Sequence, residues 1–357
     1  PIDRAASDDL FSWYTYRNED GELAATIRIP SYSPTLPDGD DRDPLQAHSE
    51  RFGELIAQFN AAGVENLTID QLQNPGGAVP YFYSLARHLI TEPIQTAQHS
   101  VIVSRDRYEN NRGLLEQITT ARAEAEQQIR AANPGAPDSV VNDAVAQALL
   151  GQSFGGYPVD AQVLTDFTQS FVLENRAFES NEGDLTPPLH ISGVNFVRPA
   201  PEAQRFTGRI QIVTDEMGIS AGDFFPALMQ EASFQEIPPG GDVSNRRILI
   251  VGMDENGTSG AGGFVLTTSL DGIDNEFDVA SYRLTGSVAH RGEDPRNLAG
   301  QPFVESFGVY PDVVIRPTVA DVLNGHLGVG QQLLELSQNP QPIVAAADQE
   351  RRDALEQ

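Results

Sequence analysis

Residues 64–90 read VENLTIDQLQNPGGAVPYFYSLARHLI. Residues 64–72, with Val64, Leu67, Ile69 and Leu72 among polar neighbours, read as a buried strand. The run stops at Asn74-Pro75-Gly76-Gly77, residue types that favour a turn. From 79 to 90, aromatic and aliphatic side chains recur at helical spacing. A strand that turns through Gly-Gly into a helix is one half of a layered α/β unit. Backbone N–H groups at such a turn lack partners and can point at a reacting carbonyl oxygen.

Upstream, 23–30 (LAATIRIP) reads as a strand, and 46–62 sets Phe52, Leu55, Ile56 and Phe59 on one helical face. Downstream, 101–103 predicts a short strand. The Ala-, Glu- and Gln-rich stretch 110–152 predicts two helices broken at Asn133-Pro134-Gly135. Residues 155–201, rich in Pro, Asn and Gly, read as irregular. Strand and helix order returns at 209–214 (RIQIVT), followed by a helix from 220 to about 232 and a strand at 247–251. Beyond a Gly-rich loop at 257–263, strands are expected at 264–269, 281–288 and 312–316, and a helix at 330–337. The charged tail from 345 is expected to fray. The expected organisation is one α/β domain over 1–357 with a helical insertion at about 108–152.

Composition limits the function. The 23 basic residues are all arginine, against 51 acidic ones, for a formal charge of −28. That charge argues against nucleic acid and anionic membranes as partners, and is otherwise a solvated acidic surface adapted to salt or an extracellular setting. No apolar run reaches the ~20 residues of a membrane span. With no cysteine, disulfides, thiolate catalysis and cysteine-held zinc are excluded. With no lysine, a Ser/Lys dyad is impossible.

A second turn, Gly218-Ile219-Ser220-Ala221-Gly222-Asp223, also joins a strand to a helix. Ser220 is either that helix's N-cap or an exposed nucleophile, which needs a base within hydrogen-bond reach. The N–H of Ala221 and one N–H from Gly76 or Gly77 are the natural oxyanion donors. Asp223 reads as a carboxylate complementing the helix dipole. A third stretch, Val304-Glu305-Ser306-Phe307-Gly308-Val309, precedes Pro311-Asp312-Val313.

Taken together, the Gly-Gly turn, the Ser-Ala-Gly-Asp turn, the Gly-rich loop and the closing Glu-x-x-Gly-Val-x-Pro-Asp-Val resemble the tail-specific, or C-terminal processing, serine peptidases. The chain has no lysine in its Gly-rich loop. It therefore looks more like the branch of the tricorn core protease and the chlamydial protease-like activity factor, which uses Ser, His and Glu. The resemblance implies a crotonase-like ββα superhelix, Ser220 as nucleophile, Glu305 as the carboxylate that orients the base, and an oxyanion hole of Ala221 with Gly76 or Gly77. It implies a polypeptide substrate and neither metal nor organic cofactor.

In that branch the histidine lies upstream of the first core strand. Of the six here (His48, His88, His99, His190, His290 and His326), none sits in a matching motif, and His290 is the best internal stand-in. His88 reads as a packing residue. The base is then expected from an N-terminal segment outside this chain, as a companion fragment after processing or as a stretch not included here. A binding module without chemistry is the alternative, and a crotonase-type acyl-coenzyme A enzyme a third. The insertion is a lid or a homodimer contact. The acidic, lysine-free composition suggests a secreted or periplasmic protein, with a cytoplasmic one as the alternative.

Overall fold

The computed structural model describes residues 2–8, 10–17, 21–99, 105–180, 186–238, 241–260, 264–268, 279–284, 308–323, 327–338 and 340–355. Its centre is a seven-stranded sheet in which neighbours in space follow the chain order. Strands β1 (Ile2–Ser7), β2 (Ser12–Arg17) and β3 (Leu23–Arg28) pair antiparallel. From β3 onward, β4 (Val64–Asp70), β5 (Arg209–Thr214), β6 (Ile248–Gly252) and β7 (Val313–Val314) run parallel. The fold is mixed α/β. β1 and β2 lie ahead of the first strand legible in the sequence.

Parallel strands must be covered on both faces, and the sequence supplies the cover. One side carries α1 (Pro44–Ala62) and α2 (Val79–Ala86). The first is started by Asp43, whose carboxylate accepts Gln46 N–H at 2.8 Å, with Pro44 at its first position. It stops at Gly63, where φ is 77°. Phe52, Leu55, Ile56 and Phe59 are all buried.

The 105–180 stretch folds as three helices: α3 (Arg105–Ala132), α4 (Asp138–Leu150) and α5 (Ala161–Ser180). The first two match the pair expected around the 133–135 break. The third corrects the expectation of irregular chain at 155–201. Asp160 starts it by accepting Val163 N–H at 2.9 Å, and Val163, Leu164 and Phe167 pack inward. α6 (Ala221–Gln235) follows β5 and packs its Phe224 and Phe225 against Phe82 of α2.

On another part of the sheet, Val213, Leu249, Val251 and Val313 form a separate apolar cluster with Leu336 and Val344. These last two belong to α7 (Leu327–Gln338) and α8 (Pro340–Leu355). The tail expected to fray from 345 is therefore helical through Leu355, because Val344 anchors it in that cluster. The strand expected at 101–103 lies outside the described residues. Of those expected at 264–269 and 281–288, the described parts form an antiparallel pair, Phe264–Thr268 with Val279–Leu284, and residues 269 and 285–288 lie outside the described residues.

Candidate active site

β4 and β5 are adjacent and parallel, so the turns that leave them emerge at the same edge of the sheet. Asn74-Pro75-Gly76-Gly77 follows β4, and Gly218-Ile219-Ser220 follows β5. Contact between the two turns is direct. Ile219 N–H donates to Asn74 O at 3.1 Å. A methyl group on Gly76 would lie 2.5 Å from Ile219 O, 2.8 Å from Ser220 Cβ and 2.9 Å from Ala221 N. Only glycine fits there, and its φ of 90° is one that other residues rarely adopt.

Ser220 has φ 55° and ψ −117°, a conformation costly for a residue with a Cβ. Its carbonyl begins α6, accepting Asp223 N–H at 2.9 Å and Phe224 N–H at 3.0 Å. Its hydroxyl does not cap the helix, which removes the ordinary reason for a serine at that position. The residue is half-buried and reachable from solvent.

Among the described residues no acceptor meets the N–H of Ala221 or that of Gly77. The N–H of Gly76 is occupied, donating to Asn74 Oδ1 at 2.9 Å. Of the two glycines, the exposed Gly77 is the one whose N–H has no acceptor among the described residues. The bend is clamped from the other side by Tyr32, whose N–H donates to Gly76 O at 2.8 Å and whose carbonyl accepts Ala78 N–H at 2.9 Å. Asp215 supports both turns, its Oδ1 accepting Gln73 N–H at 2.9 Å and Met217 N–H at 3.2 Å.

A model of peptidase family S41 matches residues 24–237, more than half of the chain and both turns. The chain belongs to peptidase family S41. Curated relatives come from Chlamydia. A C. muridarum protein is 28% identical over 322 residues, 88% of this chain and 45% of its own length. A C. pneumoniae protein is 29% identical over 302 residues, 83% of this chain and 40% of its own. The chain thus spans less than half of these relatives.

Among solved structures, mature CPAF complexed with lactacystin superposes with a TM-score of 0.69 at 23% identity, covering 94% of this chain and 56% of that one. A crystal structure of mature CPAF gives 0.69 at 24% identity, with 94% and 55% covered. These likenesses establish a shared fold.

Two further pieces of the S41 chain converge on the serine turn. The Gly-rich loop is held by Ser259 N–H donating to Gly218 O at 3.0 Å and by Gly260 N–H donating to Asp223 Oδ1 at 3.0 Å. Asp223, wholly buried, therefore joins loop to helix as well as complementing the helix dipole. Glu305 lies outside the described residues. The described chain resumes at Gly308, packed on Thr258 O, and Val309 N–H donates to Thr258 Oγ1 at 2.8 Å. Gly308 and Val309 thus lie beside the loop that touches Gly218.

The histidines with described side chains are engaged away from Ser220. His88 is buried against Phe52 and Gly53, its Nδ1 2.9 Å from Gln204 O, and burial pushes its pKa down to about 4. His48 contacts Thr35 O at 3.3 Å, and burial lowers it too. The His190 ring, also lowered by burial, sits between Thr96 and Gln98. His290 and His326 lie outside the described residues. Among the described residues, no group of three or more His, Asp and Glu is arranged to hold a metal ion, and no helix is long and apolar enough to cross a membrane.

Sequence reasoning did not single out Gln71 or Tyr32, whose buried polar groups back the two turns. The only signal was a glutamine between the strand Val64–Asp70 and the Asn-Pro-Gly-Gly turn.

Proposed function

We propose that this S41 member is a serine endopeptidase, or the catalytic part of one, that hydrolyses peptide bonds through an acyl-enzyme on Ser220. The observation that carries this reading is the strained Ser220 backbone beside Gly76, with the hydroxyl left out of helix capping. Strain of that kind persists where surrounding structure enforces it, and it clusters at functional sites.

In this mechanism Ser220 Oγ attacks the scissile carbonyl carbon as a histidine takes its proton. The N–H groups of Ala221 and Gly77 receive the charge that develops on the carbonyl oxygen. The imidazolium then protonates the leaving amine, and the same base activates water to release the acyl group. Glu305 orients the imidazole. The histidine comes from an N-terminal segment outside this chain or from His290. The substrate adds as a strand near the Gly-rich loop.

A fluorophosphonate probe tests the reading on the protein as encoded. Labelling is expected, is lost in Ser220→Ala, and is slowed by lactacystin if the likeness to mature CPAF extends to the site. No labelling of the parent sinks the peptidase reading. The second reading, a peptide-binding module on this fold, rests on the absence of a described histidine bonded to Ser220. It predicts peptide binding without any labelling.

A further inference from the structure

Gln71 is wholly buried where β4 ends, a place usually held by an apolar side chain. Its amide reaches both halves of the site. Oε1 accepts the hydroxyl of Tyr32 at 3.0 Å, while Nε2 donates to Gly222 O at 3.1 Å and to Thr214 Oγ1 at 3.3 Å. Tyr32 is the residue whose backbone clamps Gly76 and Ala78. Gly222 lies two positions after Ser220.

Asn74 makes a second bridge and is equally buried. Nδ2 donates to Ile29 O at 2.9 Å, Oδ1 accepts Gly76 N–H, and the backbone carbonyl accepts Ile219 N–H. Two primary amides inside an apolar layer are costly unless their hydrogen bonds are made. Where the bonds are made, the network is rigid and specifies one geometry. With Gly76 N–H turned inward onto Asn74, Gly77 N–H is the amide of the bend left for a ligand.

We propose that Gln71 and Asn74 are positioning residues, a two-amide buckle that fixes the Gly76-Gly77 bend against the Ser220 turn and so sets the spacing of Ser220 Oγ from the Gly77 and Ala221 amides. The role rests on the serine-peptidase reading. The buckle itself is measurable without catalysis.

The variants are Gln71→Leu, Asn74→Ala and Gln71→Glu in the protein as encoded. The first readout is hydrogen exchange in peptides covering 71–78 and 214–224. It is expected to accelerate at least about 10-fold there in Gln71→Leu and Asn74→Ala, with exchange in α1 and α8 unchanged. The second is the fluorophosphonate labelling rate, expected to fall about 10- to 100-fold with half-saturating probe concentration unchanged.

Gln71→Glu keeps the side-chain volume, so it serves even where another variant fails to fold. Its buried carboxyl is neutral at low pH and then donates to Gly222 O as the amide does; when charged it repels that carbonyl. Its labelling rate, taken as a ratio to the parent at each pH, is expected to recover as pH falls, which lost packing would not produce.

Unchanged exchange in both stretches overturns the buckle. Accelerated exchange with parent-like labelling, or a Gln71→Glu ratio flat with pH, overturns the positioning role. A parent that takes no label removes the nucleophile and the positioning role together, while the exchange data still decide whether the buckle exists.

Discussion

At the scale of single residues, Ser220 and Gly76 carry the argument, and the turns that hold them were legible. Each stands in a glycine-bearing turn between a strand and a helix, so local sequence marks the turn. What local sequence does not mark is which amide of the bend is free, because that depends on Asn74 Oδ1 folding back onto Gly76. Nor does it mark Gln71, which looks like any polar residue at a strand end until Tyr32, Thr214 and Gly222 surround it. The strain at Ser220 leads to a prediction with an unusual sign. A non-glycine residue at φ 55°, ψ −117° costs about 1–3 kcal/mol, whereas glycine adopts it freely at an entropic cost of about 0.5–1 kcal/mol. Ser220→Gly is expected to stabilise the fold by about 1 kcal/mol in thermal denaturation while abolishing fluorophosphonate labelling. A capping serine would behave oppositely, losing about 1 kcal/mol on replacement by alanine.

At the scale of elements, the parallel strands were legible because both their faces are buried: every residue of β6 is inaccessible. The helix α5 was missed for the reverse reason. Its apolar residues, Val163, Leu164, Phe167 and Phe171, have helical spacing, but glycine- and proline-rich chain on either side masks the period. Its partner choice was invisible too, since it depends on a residue 63 positions away. Glu174 of α5, 8% exposed, takes Arg107 of α3 on both oxygens, at 2.6 and 3.0 Å, and Asn111 Nδ2 at 2.6 Å. Removing one member of a buried pair leaves the other uncompensated. Because Arg107 keeps some solvent contact, Glu174→Ala is expected to cost about 2 kcal/mol. The loss should appear in hydrogen exchange as opening of α3 against α5, with peptides of β5 and β6 unaffected. Glu174→Gln, whose single oxygen can still accept Arg107 Nε–H and Asn111 Nδ2–H but whose NH2 then faces the Arg107 Nη2 donor, should lose less than Glu174→Ala.

At the scale of the whole molecule, two effects of pH oppose one another. The formal charge of −28 makes the compact state repel itself, and neutralising carboxylates as pH falls relieves that repulsion. His88 acts the other way. Its folded pKa is pushed down to about 4 by burial, from 6.5. As pH drops below 6.5 the unfolded chain binds a proton there while the folded chain does not, so stability present above 6.5 is lost progressively until pH 4. At 1.36 kcal/mol per pH unit this amounts to roughly 3 kcal/mol. Salt separates the two effects, because exposed charges are screened within about 3 Å at 1 M ionic strength while a buried imidazole is not. Chemical denaturation by urea at pH 7.0, 5.5 and 4.5 is therefore expected to show a fall in stability that persists in 1 M NaCl. Changing His88 to Gln, which cannot titrate, should make the curve shallower between pH 6.5 and 4, leaving what the buried His48 and His190 contribute. At pH 7, salt alone should raise the midpoint of the parent, since only the repulsion among carboxylates is then at work. A pH dependence that vanishes in salt would assign it to the surface charge, and a fall that survives unchanged in His88→Gln would assign it to His48 and His190.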